Sequence, residues 1–237
     1  MSHKPSFTIE PVSERSSAAF FDLDNTLIRG SSFYYFVKGL VSHGVISKRQ
    51  ILRFGWENFR YVRSRRENSV TMATVTRRAL QFVQGKSQDF LKGLSEEIVE
   101  DFLPRRIIPK MRERILEHQI IGDDTWLITA APQELAVIIA NHLNMSGALG
   151  TKTLVRNGLY QAELATPALH GPEKAQAIRH LAMVHNYDLA RSYAYSDSLN
   201  DLPMLVTVGK PFLVNPEKEL ARLALKNRWP VIETAAS

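Results

Sequence analysis

Residues 18–27 read Ala18-Ala19-Phe20-Phe21-Asp22-Leu23-Asp24-Asn25-Thr26-Leu27. The run from Ala18 to Phe21 is short, apolar and continuous, and it ends in acids. Such a run is a buried parallel strand, because a strand covered on both faces needs no polar alternation. Asp22 and Asp24 stand two residues apart just past its end. Open α/β sheets bind ligands at the carboxyl ends of their strands. If the chain leaves strand geometry after Asp22, both acids face one site, where one can attack and the other can handle protons. On spacing alone, an acidic turn after a strand explains the pair equally well.

Beyond this run, about 90 residues contain no strand pattern. Phe33–His43, Lys48–Arg65, Val70–Val83, Phe90–Phe102 and Ile107–His118 read as helices, punctuated by Gly44 and Gly85 and with Ser87 or Ser95 as N-cap candidates. The pattern then alternates. Thr125–Thr129 reads as a strand, and Pro132–Leu143 as a helix with proline in its first turn. Asn157-Gly158 marks a hairpin between Leu154 and Ala162. Pro172–His185 is helical, Ser192–Tyr195 a strand, Asn200–Val206 a short helix, Phe212–Val214 a strand and Glu217–Leu225 a helix, with a last strand within Trp229–Ile232. A strand, a helical insert and then alternating strands and helices predict an α/β core interrupted by a helical module.

A second acid cluster, Ser196-Asp197-Ser198-Leu199-Asn200-Asp201, also follows an apolar strand. Capping of a helix start explains one such aspartate. It explains two strand-terminal acid clusters in one sheet poorly. Gathered carboxylates repel unless a cation offsets them, and hard oxygen donors without thiols suit magnesium. Thr129 closes a strand before a helix, where its hydroxyl and nearby N–H groups suit a phosphate oxygen. A strand-end threonine is the plainer alternative. Lys174 opposes the dipole near the start of its helix, so an anionic partner is one reading and a surface lysine the other.

Composition narrows the classes. The chain has 237 residues, 44% hydrophobic and 23% charged, the balance of a soluble globular protein. With no cysteine, disulfides, thiolate zinc sites and a cysteine nucleophile are excluded. That fits a cytoplasmic location. No apolar run approaches a membrane span: the longest, Phe33–Val41, is interrupted by Lys38. Residues 1–16 carry no apolar signal core and read as a flexible leader. The net charge of +6 is concentrated in residues 48–66, where Lys48, Arg49, Arg53, Arg60, Arg63, Arg65 and Arg66 face the single acid Glu57. Phe54, Trp56, Phe59 and Tyr61 interleave with them. An amphipathic helix with solvated arginines is the plainer reading. A surface for anionic lipid is the functional one, with nucleic acid less favoured.

Taken in order, Asp22-Leu23-Asp24-Asn25-Thr26, Leu127-Ile128-Thr129-Ala130-Ala131, Lys174 within Gly171–Ile178, and Ser196–Leu205 resemble the four motifs of the haloacid dehalogenase (HAD) superfamily. The detail resembles its subfamily IB hydrolases, the phosphoserine phosphatase-like group. The resemblance implies a Rossmann-like three-layer core at residues 17–31 and 116–237, with an inserted helical type-1 cap at 32–115. It implies Asp22 as nucleophile and Asp24 as general acid and base. It implies Thr129 and Lys174 as the phosphate-binding pair and Asn200 as a substrate contact. Magnesium is then held by the carboxylate of Asp22, the backbone carbonyl of Asp24 and Asp197, with Asp201 beside them. The implied substrate is a small phosphate monoester, hydrolysed through an aspartyl-phosphate. Within that superfamily an acid at position 24 favours a phosphatase or phosphomutase over dehalogenases, whose halide departs without a proton, and over pump ATPases, which carry a threonine there.

The substrate itself is less legible. Where phosphoserine phosphatases place a glutamate for the substrate ammonium, this chain has Ser31, and an apolar aromatic cap position falls near Thr71. Arg78 matches the arginine expected to grip a substrate carboxylate. Phe33, Tyr34, Tyr35 and Phe36 form either cap core or an apolar pocket. Phosphoserine, histidinol phosphate and lysophosphatidate all remain candidates.

Overall fold

The structure is a computed structural model that describes residues 16–47, 49, 80, 81 and 83–234. The helices expected at Lys48–Arg65 and over most of Val70–Val83, the basic segment 48–66, Thr71 and Arg78 lie outside the described residues.

Six parallel strands form one sheet. In chain order they are β1 (Ala18–Phe21), β2 (Asp124–Pro132), β3 (Gly147–Thr151), β6 (Tyr193–Ser196), β7 (Lys210–Val214) and β8 (Val231–Ile232); in space the order is β3-β2-β1-β6-β7-β8. The pair β4 (Thr153–Arg156) and β5 (Leu159–Leu164) forms a separate antiparallel hairpin. Its turn residues Asn157 and Gly158 both have positive φ, as the Asn-Gly dipeptide predicts.

Alternation along the strands creates the layers. Ala19, Phe21, Leu127, Tyr195 and Val214 point to one face, against α2 (Gln88–Arg106), α3 (Pro109–Ile120) and α4 (Gln133–His142). Ala18, Phe20, Ile128, Ala194 and Leu213 point to the other, against α5 (Pro172–His185), the short α6 (Leu202–Leu205) and α7 (Lys218–Asn227). The expected three-layer α/β core is therefore present. Between β1 and β2 the described elements are all helical: α1 (Ser32–Ser42), α2 and α3. Residues 115 and 116 lie inside α3, which packs on β2; α2 and α3 are separated at Ile107–Ile108. Among the described residues no helix is long and apolar enough to cross a membrane.

Three differences from the sequence reading have physical causes. Strand β3, residues Gly-Ala-Leu-Gly-Thr, was not expected, because its glycines weaken any strand signal. Both glycines answer close approaches: a Cβ on Gly147 would meet the Trp126 ring at 2.5 Å, and one on Gly150 the Ala131 carbonyl oxygen at 2.8 Å. Strand β2 runs on to Pro132, so Thr129 lies within it and the helix starts at Gln133. Pro104 sits inside α2, which continues to Arg106.

A buried polar network ties α3 to β1 and β6. The His118 ring contacts Asp123 through Nδ1 at 2.8 Å and the Tyr195 hydroxyl through Nε2 at 2.7 Å. Ser17 donates to the other Asp123 oxygen. Burial holds the His118 pKa below its ordinary 6.5, although Asp123 pulls it upward; Arg114 and Glu117 are the other charges that act on it. An unfolded chain then binds a proton below about pH 6.5 that the folded chain refuses, so this group costs stability as pH falls. His118→Gln should lose on the order of 2 kcal/mol at about pH 8, because buried partners are left poorly matched. The gap between wild type and variant should narrow as pH drops toward about 5.5. Denaturant titrations across this range check it; a constant or widening gap contradicts a buried neutral imidazole.

Candidate active site

Strands β2, β1 and β6 lie side by side, with Phe21 opposite both Leu127 and Tyr195. This register brings Thr129, Asp22 and Asp197 to the carboxyl end of the same sheet. The Asp22 amide still donates to the Tyr195 carbonyl at 3.0 Å, so the acid is the last residue held by the ladder. The chain then turns tightly. Leu23 accepts from the amides of Thr26, Leu27 and Ile28, and Asn25 adopts a left-handed φ of 54°. Asparagine tolerates that conformation because its short side chain bonds locally, here accepting from the Gly30 amide at 3.0 Å. The turn directs Asp24 toward α1, where the Ser32 amide donates to its Oδ1 at 2.8 Å. A first-turn amide of a helix thus fixes the second acid. Ser31, the N-cap, accepts from the Tyr34 amide at 3.4 Å.

The centre of the site is Lys174, 3% exposed on the first turn of α5. Its ammonium donates to Asp22 Oδ1 at 2.6 Å and to Asp201 Oδ2 at 2.7 Å. The same Asp201 oxygen accepts from the Ser196 hydroxyl at 2.8 Å, and Ser196 Oγ accepts from the Ser198 amide at 3.2 Å. Helix α5 starts at Gly171, whose φ of 57° needs glycine, and at Pro172. Thr26 donates weakly to Asp197 at 3.4 Å, and the Asp197 carbonyl accepts from the Glu217 amide. Thr129 is buried and accepts from the Ala131 amide at 3.1 Å. Asn200 is exposed in the turn Leu199–Asp201.

Electrostatics follow from burial. Desolvation pushes the Asp22 carboxyl up to about 7 against the pull of Lys174, with Asp201 and Asp24 adding to the rise. Desolvation also raises Asp197 to about 6, with Asp201 and Glu217 adding and Thr26 opposing. Burial would lower Lys174, but the two carboxylates in contact outweigh it and its pKa is raised, so it stays charged. One buried ammonium does not balance this many acids. A divalent cation would, and every donor here is oxygen. Among the described residues no three acids or imidazoles form a ready-made cluster. A cation here would need Asp22 and Asp197 together with backbone oxygen and water, a mixed oxygen set that magnesium accepts.

The structure thus joins Asp22, Lys174 and Asp201 directly, sets Asp24, Asp197 and Thr129 at the same sheet end, and leaves Asn200 at the rim. Sequence reasoning gave no role to Ser196, Thr26 or the Ser32 amide. The signal for the two hydroxyls was present, since each lies within the acid-bearing segments themselves.

The sequence model of the haloacid dehalogenase-like hydrolases matches residues 19–206. A Mycobacterium tuberculosis (ATCC 25618 / H37Rv) protein named phosphoserine phosphatase SerB1 is 39% identical over 222 residues, spanning 94% of this chain and 72% of its own. The histidinol-phosphatase of Neisseria meningitidis serogroup C is 26% identical over 220 residues, 90% of this chain and 97% of its own. A solved structure from Bordetella pertussis Tohama I shares the fold with a TM-score of 0.81, at 24% identity, over 92% of this chain and 98% of that one. With its motifs gathered at one sheet end and a family match over most of its length, the chain belongs to the haloacid dehalogenase-like hydrolase family.

Proposed function

We propose that the chain is a magnesium-dependent phosphomonoesterase that works on a small phosphorylated metabolite through an aspartyl-phosphate on Asp22. One observation carries this reading: the buried Lys174 ammonium is clamped between Asp22 and Asp201, so a fixed positive charge sits beside the carboxylate that would attack phosphorus. Relatives named for phosphoserine and for histidinol phosphate support the reaction class.

An Asp22 oxygen attacks phosphorus, and the bond from phosphorus to the ester oxygen breaks. Asp24, held by the Ser32 amide, gives its proton to the departing alkoxide. Water then attacks the phosphoryl group on Asp22 while Asp24 takes the proton back, releasing phosphate and restoring both acids. Lys174 and Thr129 hold phosphoryl oxygens throughout, and Lys174 keeps Asp22 oriented. Asp22, Asp197 and the Asp24 carbonyl, with Asp201 behind them, would hold a magnesium ion, which when bound would supply charge neutralisation for the dianionic phosphate. The described helices α1 and α2 belong to the cap beside this site, and α3 packs with the core sheet.

Asp22→Asn should cut p-nitrophenyl phosphate hydrolysis by roughly a thousandfold or more while circular dichroism shows an unchanged fold. Activity within tenfold of wild type would remove Asp22 from the nucleophile role. Chelation with EDTA should silence hydrolysis and added magnesium restore it; an unchanged rate after chelation contradicts the metal requirement. Asp24→Asn should still be phosphorylated by p-nitrophenyl phosphate, whose leaving group needs no acid, but should lose the base for the second step. Intact-mass spectrometry should then find a phosphorylated protein, and none accumulating would exclude this division of labour.

A further inference from the structure

A cavity of about 350 Å³ opens from Asp24 between the cap-side helices and the sheet. Pockets of roughly 300–1,000 Å³ hold drug-sized ligands, so this one has room for far more than serine. Its wall is largely apolar. Phe33, Phe36 and Leu40 come from α1, Leu91 from α2, Ala131 from the end of β2 and Leu164 from β5. Among the four clustered aromatics of α1, Phe33 and Phe36 face this space, whereas Tyr34 is exposed and Tyr35 stacks on Phe102.

Among the polar residues of this lining, which also include Ser95, Thr151 and Thr153, Tyr160 and Glu134 stand out. Tyr160 is 3% exposed, yet its hydroxyl is buried without a hydrogen-bond partner, alone in this among the buried side-chain groups described. Glu134, on the first turn of α4, lines the same cavity and, as the acidic neighbour of the phenol, adds through hydrogen bonding and charge to the rise that burial imposes on it. The position where an ammonium-binding carboxylate was expected holds Ser31, whose hydroxyl is engaged in capping α1.

Resting on the phosphomonoesterase reading, we propose that this cavity receives the alcohol half of the substrate. The substrate is then a phosphate monoester of a mostly apolar alcohol that carries one ammonium or other hydrogen-bond donor for the Glu134 carboxylate. An apolar body fits the wall made by α1, α2 and β5. A donor group satisfies the Glu134 carboxylate and gives Tyr160 a polar neighbour. A small zwitterion such as serine would leave the apolar wall wet and carry its own carboxylate toward Glu134.

Binding of non-hydrolysable alkylphosphonates to the full chain with magnesium, followed by titration calorimetry, tests this apart from catalysis. Chains from methyl upward, kept short enough to stay monomeric, should bind about threefold to fourfold more tightly per added methylene until the cavity fills, the equivalent of ~0.8 kcal/mol for each buried CH₂. At equal length, an ω-amino chain should bind at least tenfold more tightly than its methyl-ended counterpart, and E134Q should abolish that preference. Affinity that ignores chain length overturns the cavity as the alcohol site. An amino preference that is absent, or that survives in E134Q, overturns the role of Glu134. Failure of the phosphomonoesterase reading would show separately, as absence of p-nitrophenyl phosphate hydrolysis.

Discussion

A single buried ammonium organises this site. Lys174 reaches Asp22 on one side and Asp201 on the other, and each contact comes from a different part of the chain. Removing the ammonium would leave Asp22 and Asp201 as uncompensated buried charges, which is strongly destabilising. The strands of the sheet, the Gly171-Pro172 start of α5 and the turn after β6 must therefore all be placed before the acids can coexist. The remaining imbalance of carboxylate over cation is what makes a divalent ion and a phosphate, taken together, fitting occupants.

The fold was legible where burial and sequence pattern coincide. The apolar runs ending in Asp22 and before Asp197 mark strands because both faces of the sheet are covered. The Asn157-Gly158 hairpin declares itself through two residues that accept positive φ. Strand β3 was hidden because its glycines were chosen by the Trp126 ring and the Ala131 carbonyl, contacts distant in sequence. Thr129 illustrates the same limit: its place before a helix was correct in order, but the ladder to β3 extends β2 beyond it.

The site was legible as a set of residue types and only partly as an arrangement. The acids could be named from their positions at strand ends. That Asp201 spends one oxygen on both Lys174 and Ser196 depends on how α5 packs, which no local pattern encodes. Likewise, the aromatics after the first acids could be either cap core or pocket wall. The structure divides them, with Phe33 and Phe36 on the cavity, Tyr35 packed on Phe102 and Tyr34 exposed. Glu134 and Tyr160 carried no motif, because their relation arises only when α4 and the β4–β5 hairpin meet the same space.

The central claim is that Asp22 itself carries the phosphoryl group. Turnover quenched in acid, followed by borohydride reduction and peptide sequencing, reads this directly, since an acyl phosphate is reduced to the alcohol and converts aspartate to homoserine. Homoserine at position 22 is the expected result. An unmodified Asp22, or a modified residue elsewhere in the chain, would contradict the account.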